Sequence, residues 1–345
     1  MYTIQQAAKM FNISTNKVRF YEEKGLIKPE RNQNNDYRYF TEEDLIKLQS
    51  ILLYRVLGLS IEDIKELLSK NTKNNYLDHF HKQWQIVNNE IHRLIQIRTS
   101  LEKIIDTIYE DTEGNKQANI LKVISETNEI NMLKNQWEDK WDFNSWASTY
   151  DKAVTRNIGT LGMYKNYNKI LDKVFNIATS FNKQDPNILE IGVGTGNLAN
   201  RFFEAGHNIV GIDQSREMLN VAKEKNPKLK VRLGEFLKIP YDNKTFDIIV
   251  STYAFHHLDD KEKIIAIGEL IRVLKDNGKI VIGDLMFENE EAKDRLFASL
   301  TKEQICEIED EYYSSIDFLQ KEFKKYNKTI SYTQIDYINF IIEVI

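Results

Sequence analysis

The sequence predicts a multidomain chain: an N-terminal all-α module with a short β wing, a coiled-coil helix, and a C-terminal α/β domain on a parallel sheet. Three observations predict it. Hydroxyl residues followed three places later by an acid or amide recur through the first seventy residues, the pattern of reciprocally capped helix starts. Apolar residues then alternate at spacings of three and four from Leu77 to Ile108, as in a coiled-coil seam. From Asn187 onward, apolar strands alternate with helical segments, the order expected of a parallel sheet with right-handed crossovers. The expected divisions are 1–70, 71–112, 113–140 and 141–345, the third a polar linker.

The caps place the N-terminal helices in order. Thr3-x-x-Gln6, Thr41-x-x-Asp44 and Ser60-x-x-Asp63 each mark a helix start. A further helix begins at Ser14 or Thr15 and stops at Gly25, because glycine tolerates the left-handed conformation that ends helices. The polar stretch from Pro29 closes with Tyr37-Arg38-Tyr39-Phe40. Alternating aromatic and basic residues there suit a two-stranded wing.

The seam positions are Leu77, Phe80, Trp84, Val87, Ile91, Leu94, Leu101, Ile105 and Ile108, broken only at Arg98. A single helix cannot bury its own seam, so residues 77–108 predict a homodimer. Packing of the seam on this chain's own core is the alternative. Residues 111–136 are polar, with a short helix expected around 120–124, and tryptophans follow at Trp137, Trp141 and Trp146.

In the C-terminal part, strands are expected at 187–191, 208–213, 229–234, 246–252 and 278–284, with two more at 328–332 and 337–345. Residues 188–196 read ILEIGVGTG, and Asp213 ends the next strand seventeen residues beyond the last glycine. A glycine loop after a strand lets a ligand approach the backbone, and the following helix offers free N–H groups. A dinucleotide fingerprint wants G-x-G-x-x-G, yet Asn197 stands where its third glycine belongs. The pattern is instead E-x-G-x-G-x-G, from Glu190 to Gly196. An acid at the root of the loop repels a diphosphate and welcomes a cation. That favours S-adenosylmethionine, a sulfonium with an amino group and no phosphate, over a nicotinamide dinucleotide.

Composition bounds the rest. A hydrophobic fraction of 41% with 17 Tyr and 17 Phe supplies ample core. The single cysteine, Cys306, excludes an internal disulfide and a cysteine-rich metal site. No metal is expected. There is no apolar run of membrane-spanning length and no charged-then-apolar leader, so the expectation is a cytoplasmic protein without a membrane partner. The net charge of −5, and eleven Lys plus Arg against ten Asp plus Glu in residues 1–70, mean that DNA affinity must come from charge placement and from two copies acting together.

Residues 141–345 resemble class I S-adenosylmethionine-dependent methyltransferases of the small-molecule type, with a Rossmann-like fold. The resemblance is carried by the E-x-G-x-G-x-G loop, NIVGID, FDIIVSTYAFHHL, VLKDNGKIVIGD and the upstream WASTYD. It implies that Glu190, Gly192, Gly194 and Gly196 line the methionine end of the cofactor and that Asp213 holds the ribose hydroxyls. It further implies that Met218, Glu235 and Phe236 meet the adenine, and that Tyr150 covers the cofactor from a lid. Phe236 also suits ordinary core. His256 and His257 are candidate general bases, His256 being the one taken as catalytic, and a structural histidine is the alternative; a base is needed only when the acceptor must lose a proton early. Neither a Pro-Pro motif nor a Pro-Cys nucleophile is present, so a small-molecule methyl acceptor is favoured over DNA bases by elimination.

Residues 2–70 resemble the DNA-binding domain of MerR-family regulators, a winged helix-turn-helix, through VRFYEEKGLIKPER, YRYF and LGLSIEDIKELL. The resemblance implies contacts to a double-stranded promoter operator by Lys17, Arg19, Tyr21, Arg38 and Tyr39, with the helix 15–24 in the major groove. For Tyr21 and Tyr37 core packing is the alternative. Asn35-Asp36 replace the family's usual glycine before the wing's Tyr-Arg pair. Together the two resemblances imply a dimeric transcriptional regulator fused to a methyltransferase. A regulator that uses the α/β domain only to sense S-adenosylmethionine or a ligand is the alternative.

Overall fold

The computed structural model describes residues 1–31, 37–69, 76–110, 115–136, 139–157, 159–180 and 183–345. Asn35-Asp36 and Trp137 lie outside the described residues. The chain divides into two compact units, Met1–Arg98 and Thr99–Ile345.

In the first unit the capped starts hold. Helices span Ile4–Met10, Thr15–Glu23, Glu42–Val56 and Ile61–Ser69. Thr3 with Gln6 and Thr41 with Asp44 form reciprocal capping boxes, and Ser60 and Asp63 exchange the same pair of bonds at 3.2 and 3.1 Å. Gly25 stops the second helix at φ +71°. Glu30–Arg31 pairs antiparallel with Arg38–Phe40, which also pairs with Tyr2–Thr3. The wing is therefore three-stranded. Val18, Tyr21, Ile27, Phe40, Leu48, Ile51, Tyr54 and Ile64 close one core.

The seam residues lie on one helix, Tyr76–Glu110. Its first turns pack on their own unit: Gln83 Nε2 donates to Ser50 Oγ at 2.7 Å, and Trp84 and Val87 are half-buried. Beyond them Leu94, Leu101 and Ile105 are 52%, 54% and 50% exposed. The expected linker 113–140 is a correction. Lys116–Gln136 is a 21-residue helix that touches the end of the seam helix through Thr127 Oγ1 and Ser100 Oγ at 3.1 Å. Its Lys134, 6% exposed, forms a buried ion pair with Glu269 at 3.2 Å.

The second unit is organised by one sheet, whose main strands are β1 (Ile188–Ile191), β2 (Ile209–Asp213), β3 (Lys230–Leu233), β4 (Phe246–Thr252), β5 (Leu274–Phe287), β6 (Ile330–Gln334) and β7 (Asn339–Val344), with the two-residue strand Ser314–Ser315 added beside the end of β5. Across the sheet they run β3-β2-β1-β4-β5-β7-β6. The first five are parallel, while β7 pairs antiparallel with β5 and with β6. Central strands buried on both faces read as continuous apolar runs; all seven residues of β4 are buried. Ile248 and Val250 face one core with Val174 and Phe202, and Ile249 faces the other with Leu270 and Phe323. β5 is longer than expected because a register shift between Phe246 and Ile248 lets Leu274 join the ladder. The chain reverses its winding between β1 and β4, and open α/β sheets bind ligands in the crevice at such a switch point. Among the described residues no helix is long and apolar enough to cross a membrane.

Candidate active site

The crevice is built from the loop after β1. Gly192, Gly194 and Gly196 hold φ of +71°, +51° and +83°, values natural only to glycine. A Cβ on Gly192 would lie 2.4 Å from that of Ala254, so the loop presses on the exit of β4; a Cβ on Gly194 would meet nothing within 4 Å. Gly194 N donates to Asp213 Oδ2 and Ser215 N to Asp213 Oδ1, both at 2.8 Å. The carboxyl ending β2 is thereby locked to the glycine loop and to the next helix start. Burial pushes it up to about 6, against the pull of those amides.

Glu190 is 1% exposed. Its Oε2 is buried without a hydrogen-bond partner, and burial together with the Asp213 charge raises its carboxyl well above the usual range. An orphaned buried acceptor is costly. The orphaned oxygen of Glu190, beside a second buried acid at the same loop, therefore points to a ligand that supplies positive charge and donors.

Both acids face one crevice. Its walls include the glycine loop, Asp213 and Met218 beyond β2, Glu235 and Phe236 beyond β3, and Tyr253 and His257 beyond β4. Tyr150, Trp146, Phe143, Tyr164 and Tyr167 close it from upstream. Of the expected cofactor residues, all but Gly196 line this cavity. Gly196 is a correction: it begins the helix Asn197–Glu204, and a Cβ on it would lie 3.2 Å from that of Ala222 and 3.4 Å from Leu229 Cδ2.

The segment carrying Tyr150 is fastened to the loop by residues the sequence did not single out. Asp151 Oδ1 accepts from Thr195 Oγ1 at 2.6 Å and from Asn197 Nδ2 at 3.0 Å, and its carboxylate pairs with Lys225. Burial opposes ionisation of Asp151, but these partners hold its carboxyl below the usual value. Asn144 Oδ1 accepts from Ser215 Oγ at 2.9 Å. Tyr253 holds φ +51°, a strained value for a bulky residue, and is anchored by its hydroxyl to Asn339 Oδ1 at 2.9 Å.

His256 is a second correction. It is 4% exposed and does not line the cavity. Its Nδ1 pairs with Asp284 Oδ1, and the other oxygen of Asp284 accepts from the amides of Ala254, Phe255 and His256 at 3.3, 2.7 and 3.3 Å. Burial disfavours the charged ring, yet the Asp284 carboxylate outweighs it and raises the His256 value. That side chain holds the turn. The neighbouring His257 lines the cavity, with Nδ1 2.9 Å from Glu311 Oε2.

On the N-terminal module, Lys17 and Arg19 are exposed on the helix Thr15–Glu23. Tyr21 is a third correction: at 2% exposure its ring belongs to the core. Arg38 Nε donates to Glu22 Oε2 at 2.6 Å, and Arg31 Nη2 reaches Glu22 Oε1 at 3.2 Å. Glu22 thus ties the wing to the helix. Tyr39 is half-buried.

The orphaned Oε2 of Glu190 suits a cationic cofactor, and Asp213 suits the hydroxyls of a ribose. Met218 and Phe236 give an apolar slot, while Gly194 leaves room at the backbone. When bound, S-adenosylmethionine supplies an activated methyl group. Fold and cavity together define an S-adenosylmethionine-dependent methyltransferase of class I.

Residues 189–282 match a family described as a methyltransferase domain, and residues 2–71 one described as MerR HTH family regulatory protein. The chain is similar to an uncharacterized methyltransferase of Bacillus cytotoxicus, 39% identical over 207 residues, covering 58% of this chain and 94% of that protein. An uncharacterized methyltransferase of Oceanobacillus iheyensis is 38% identical over 205 residues, at 58% and 93% coverage. Among solved structures, magnesium protoporphyrin IX methyltransferase of Synechocystis PCC 6803 aligns at 14% identity and a TM-score of 0.46, covering 60% of this chain and 99% of that one. The chain belongs to the methyltransferase family of these Bacillus and Oceanobacillus relatives, with a MerR-type helix-turn-helix preceding that domain.

Proposed function

We propose that this methyltransferase acts on a small molecule, and that its N-terminal module binds a promoter operator as a homodimer in the cytoplasm. The chain is then a transcriptional regulator fused to an enzyme. The catalytic half rests on the unpartnered Oε2 of Glu190 in a crevice walled by the glycine loop and by aromatic side chains, the apolar lining with a few polar groups that small-molecule sites show. The DNA half is supported by exposed Lys17 and Arg19 on one helix and by Arg38 on the wing. Pairing is supported by the half-exposed leucines and isoleucine along the seam helix. A second copy that covers them would set two recognition helices on a palindromic site.

The site is tested by calorimetry. A charge-assisted hydrogen bond contributes about 1.5–3 kcal/mol, so Glu190→Gln should bind S-adenosylmethionine about 10–100-fold more weakly than the parent. Equal affinities would reject the site. Transfer of labelled methyl from the cofactor to a metabolite pool, together with a salt-dependent footprint on the protein's own promoter, tests the two activities separately.

A further inference from the structure

The turn after β4 presents two adjacent histidines with different partners. His256 is turned inward and committed to Asp284, whose carboxylate also gathers three amides of the same turn. His257 is held at Nδ1 by Glu311, a residue 54 positions away. Glu311 is itself fixed, because the next residue donates its amide from Tyr312 to the His256 carbonyl at 2.9 Å and Lys263 binds the Tyr312 carbonyl. A carboxylate only accepts, so Nδ1 of His257 carries the proton and Nε2 carries a lone pair. Trp141 and Phe143 pack on the ring at 4.7 and 4.8 Å between centroids, excluding water from its flanks. This is a fixed tautomer on the wall of the methyl-transfer cavity.

We propose that His257 is the general base of the methyl transfer and that the acceptor is a phenolic hydroxyl. The inference rests on the proposed small-molecule activity and names its substrate class. In the step, a lone pair on the phenol oxygen forms the new O–C bond while the C–S bond of the sulfonium breaks onto sulfur. The phenolic proton passes to His257 Nε2 and from there to solvent. The products are an aryl methyl ether, the neutral thioether and one proton.

Chemistry selects the class. Carboxylic acids are already ionised at neutral pH, and thiols ionise without much help. An aliphatic hydroxyl is too weak an acid for imidazole, whereas phenols near pKa 10 are within its reach. Phe143, Trp146, Tyr164 and Tyr253 line the same cavity as His257, a surface suited to a planar ring. Burial, and next the charge of His256, lower the His257 value below the ordinary one, while Glu311 and Asp284 oppose them. The ring is therefore the unprotonated form at neutral pH. Lys140 over Trp141 and Lys263 on the Tyr312 carbonyl are the other charged groups at this wall.

The test uses the full-length protein, S-adenosylmethionine labelled in the methyl group, and para-substituted phenols from unsubstituted phenol to 4-nitrophenol. His257→Asn keeps a donor toward Glu311 but removes the base. General-base catalysis contributes about 10²–10⁴-fold, so the variant should lose about a hundredfold or more in kcat on phenol. On 4-nitrophenol, which is partly ionised already, it should lose only a fewfold, with cofactor affinity by calorimetry unchanged. A readout free of turnover is the absorbance of bound 4-nitrophenolate, which the parent should raise above the free value and the variant should not. Glu311→Gln, a change in a positioning residue, should move the acidic limb of the pH profile, where the base takes up its proton, to lower pH. Equal losses across the series, or none, would overturn the proposal. So would an absolute need for a divalent cation, shown by loss of activity in chelator, because His256, His257 and Glu311 also bring ligand atoms within 4.8 Å of one another. If the parent binds cofactor but methylates none of the phenols, the acceptor class is wrong and the proposed function stands. If cofactor is not bound at all, both fall.

Discussion

A single carboxyl ties the glycine loop to the second strand. Asp213, which ends that strand, accepts the Gly194 amide of the loop and the Ser215 amide at the next helix start, and its folded value lies near 6 against an ordinary 3.8. A raised carboxyl contributes stability that is present below the unfolded value and lost as pH rises through the folded one. The cofactor-free protein should therefore gain about 1–3 kcal/mol from this group between about pH 7 and pH 4. Asp213→Asn should lose that share of the slope in denaturant unfolding run at both ends of the range; an unchanged slope would refute the argument. Glu190 acts in the same direction, so part of the slope persists. At this scale the loop was legible in the sequence, because glycines that need positive φ and an acid inside an apolar strand announce themselves locally. The histidines were not. Which of the two faces the cavity is decided by Asp284 and Glu311, 28 and 54 residues away, and no local spacing carries that information. Tyr21 erred for a similar cause: an aromatic on a polar helix reads as a surface contact until its neighbours are known.

Elements were legible where burial imposes a pattern. The seven main strands lie where the apolar runs and turns predict, and β4 is buried along its whole length. The helix Lys116–Gln136 is much longer than the short helix expected at 120–124: its apolar residues are scattered around the axis, and a helix without one apolar face gives no periodic signal. The seam residues 77–108 lie on one helix, Tyr76–Glu110. Part of its seam, at Trp84 and Val87, is half-buried within its own unit. The rest is the basis for pairing. Burying one leucine contributes about 1.5–3 kcal/mol. Leu94→Lys combined with Leu101→Lys should thus weaken self-association by about a hundredfold or more, with helical circular dichroism retained. Sedimentation velocity across a concentration series reads the change, and a monomeric parent would remove the homodimer from the proposal.

For the molecule as a whole, a net charge of −5 and a nearly neutral N-terminal module mean that DNA affinity depends on a few well-placed cations. Loss of one phosphate contact lowers the salt slope of binding by about one. Arg38→Ala should do this while leaving methyl transfer intact, although it also releases Glu22 from the wing. Gly194→Val should do the reverse, since its side chain points where nothing lies within 4 Å and would occupy the cofactor's space. Filter binding and methyl transfer on each variant give the four values. Loss of both activities in both variants would mean that the halves do not act as modules. The acids at the loop root have one more effect, seen in the surrounding buffer. With its value raised, Glu190 holds its proton more tightly than an ordinary carboxyl, and an arriving sulfonium favours the ionised form. Loading should eject protons, so titration heats in phosphate and in Tris should differ by the ionisation enthalpies of those buffers, and the difference should shrink in Glu190→Gln.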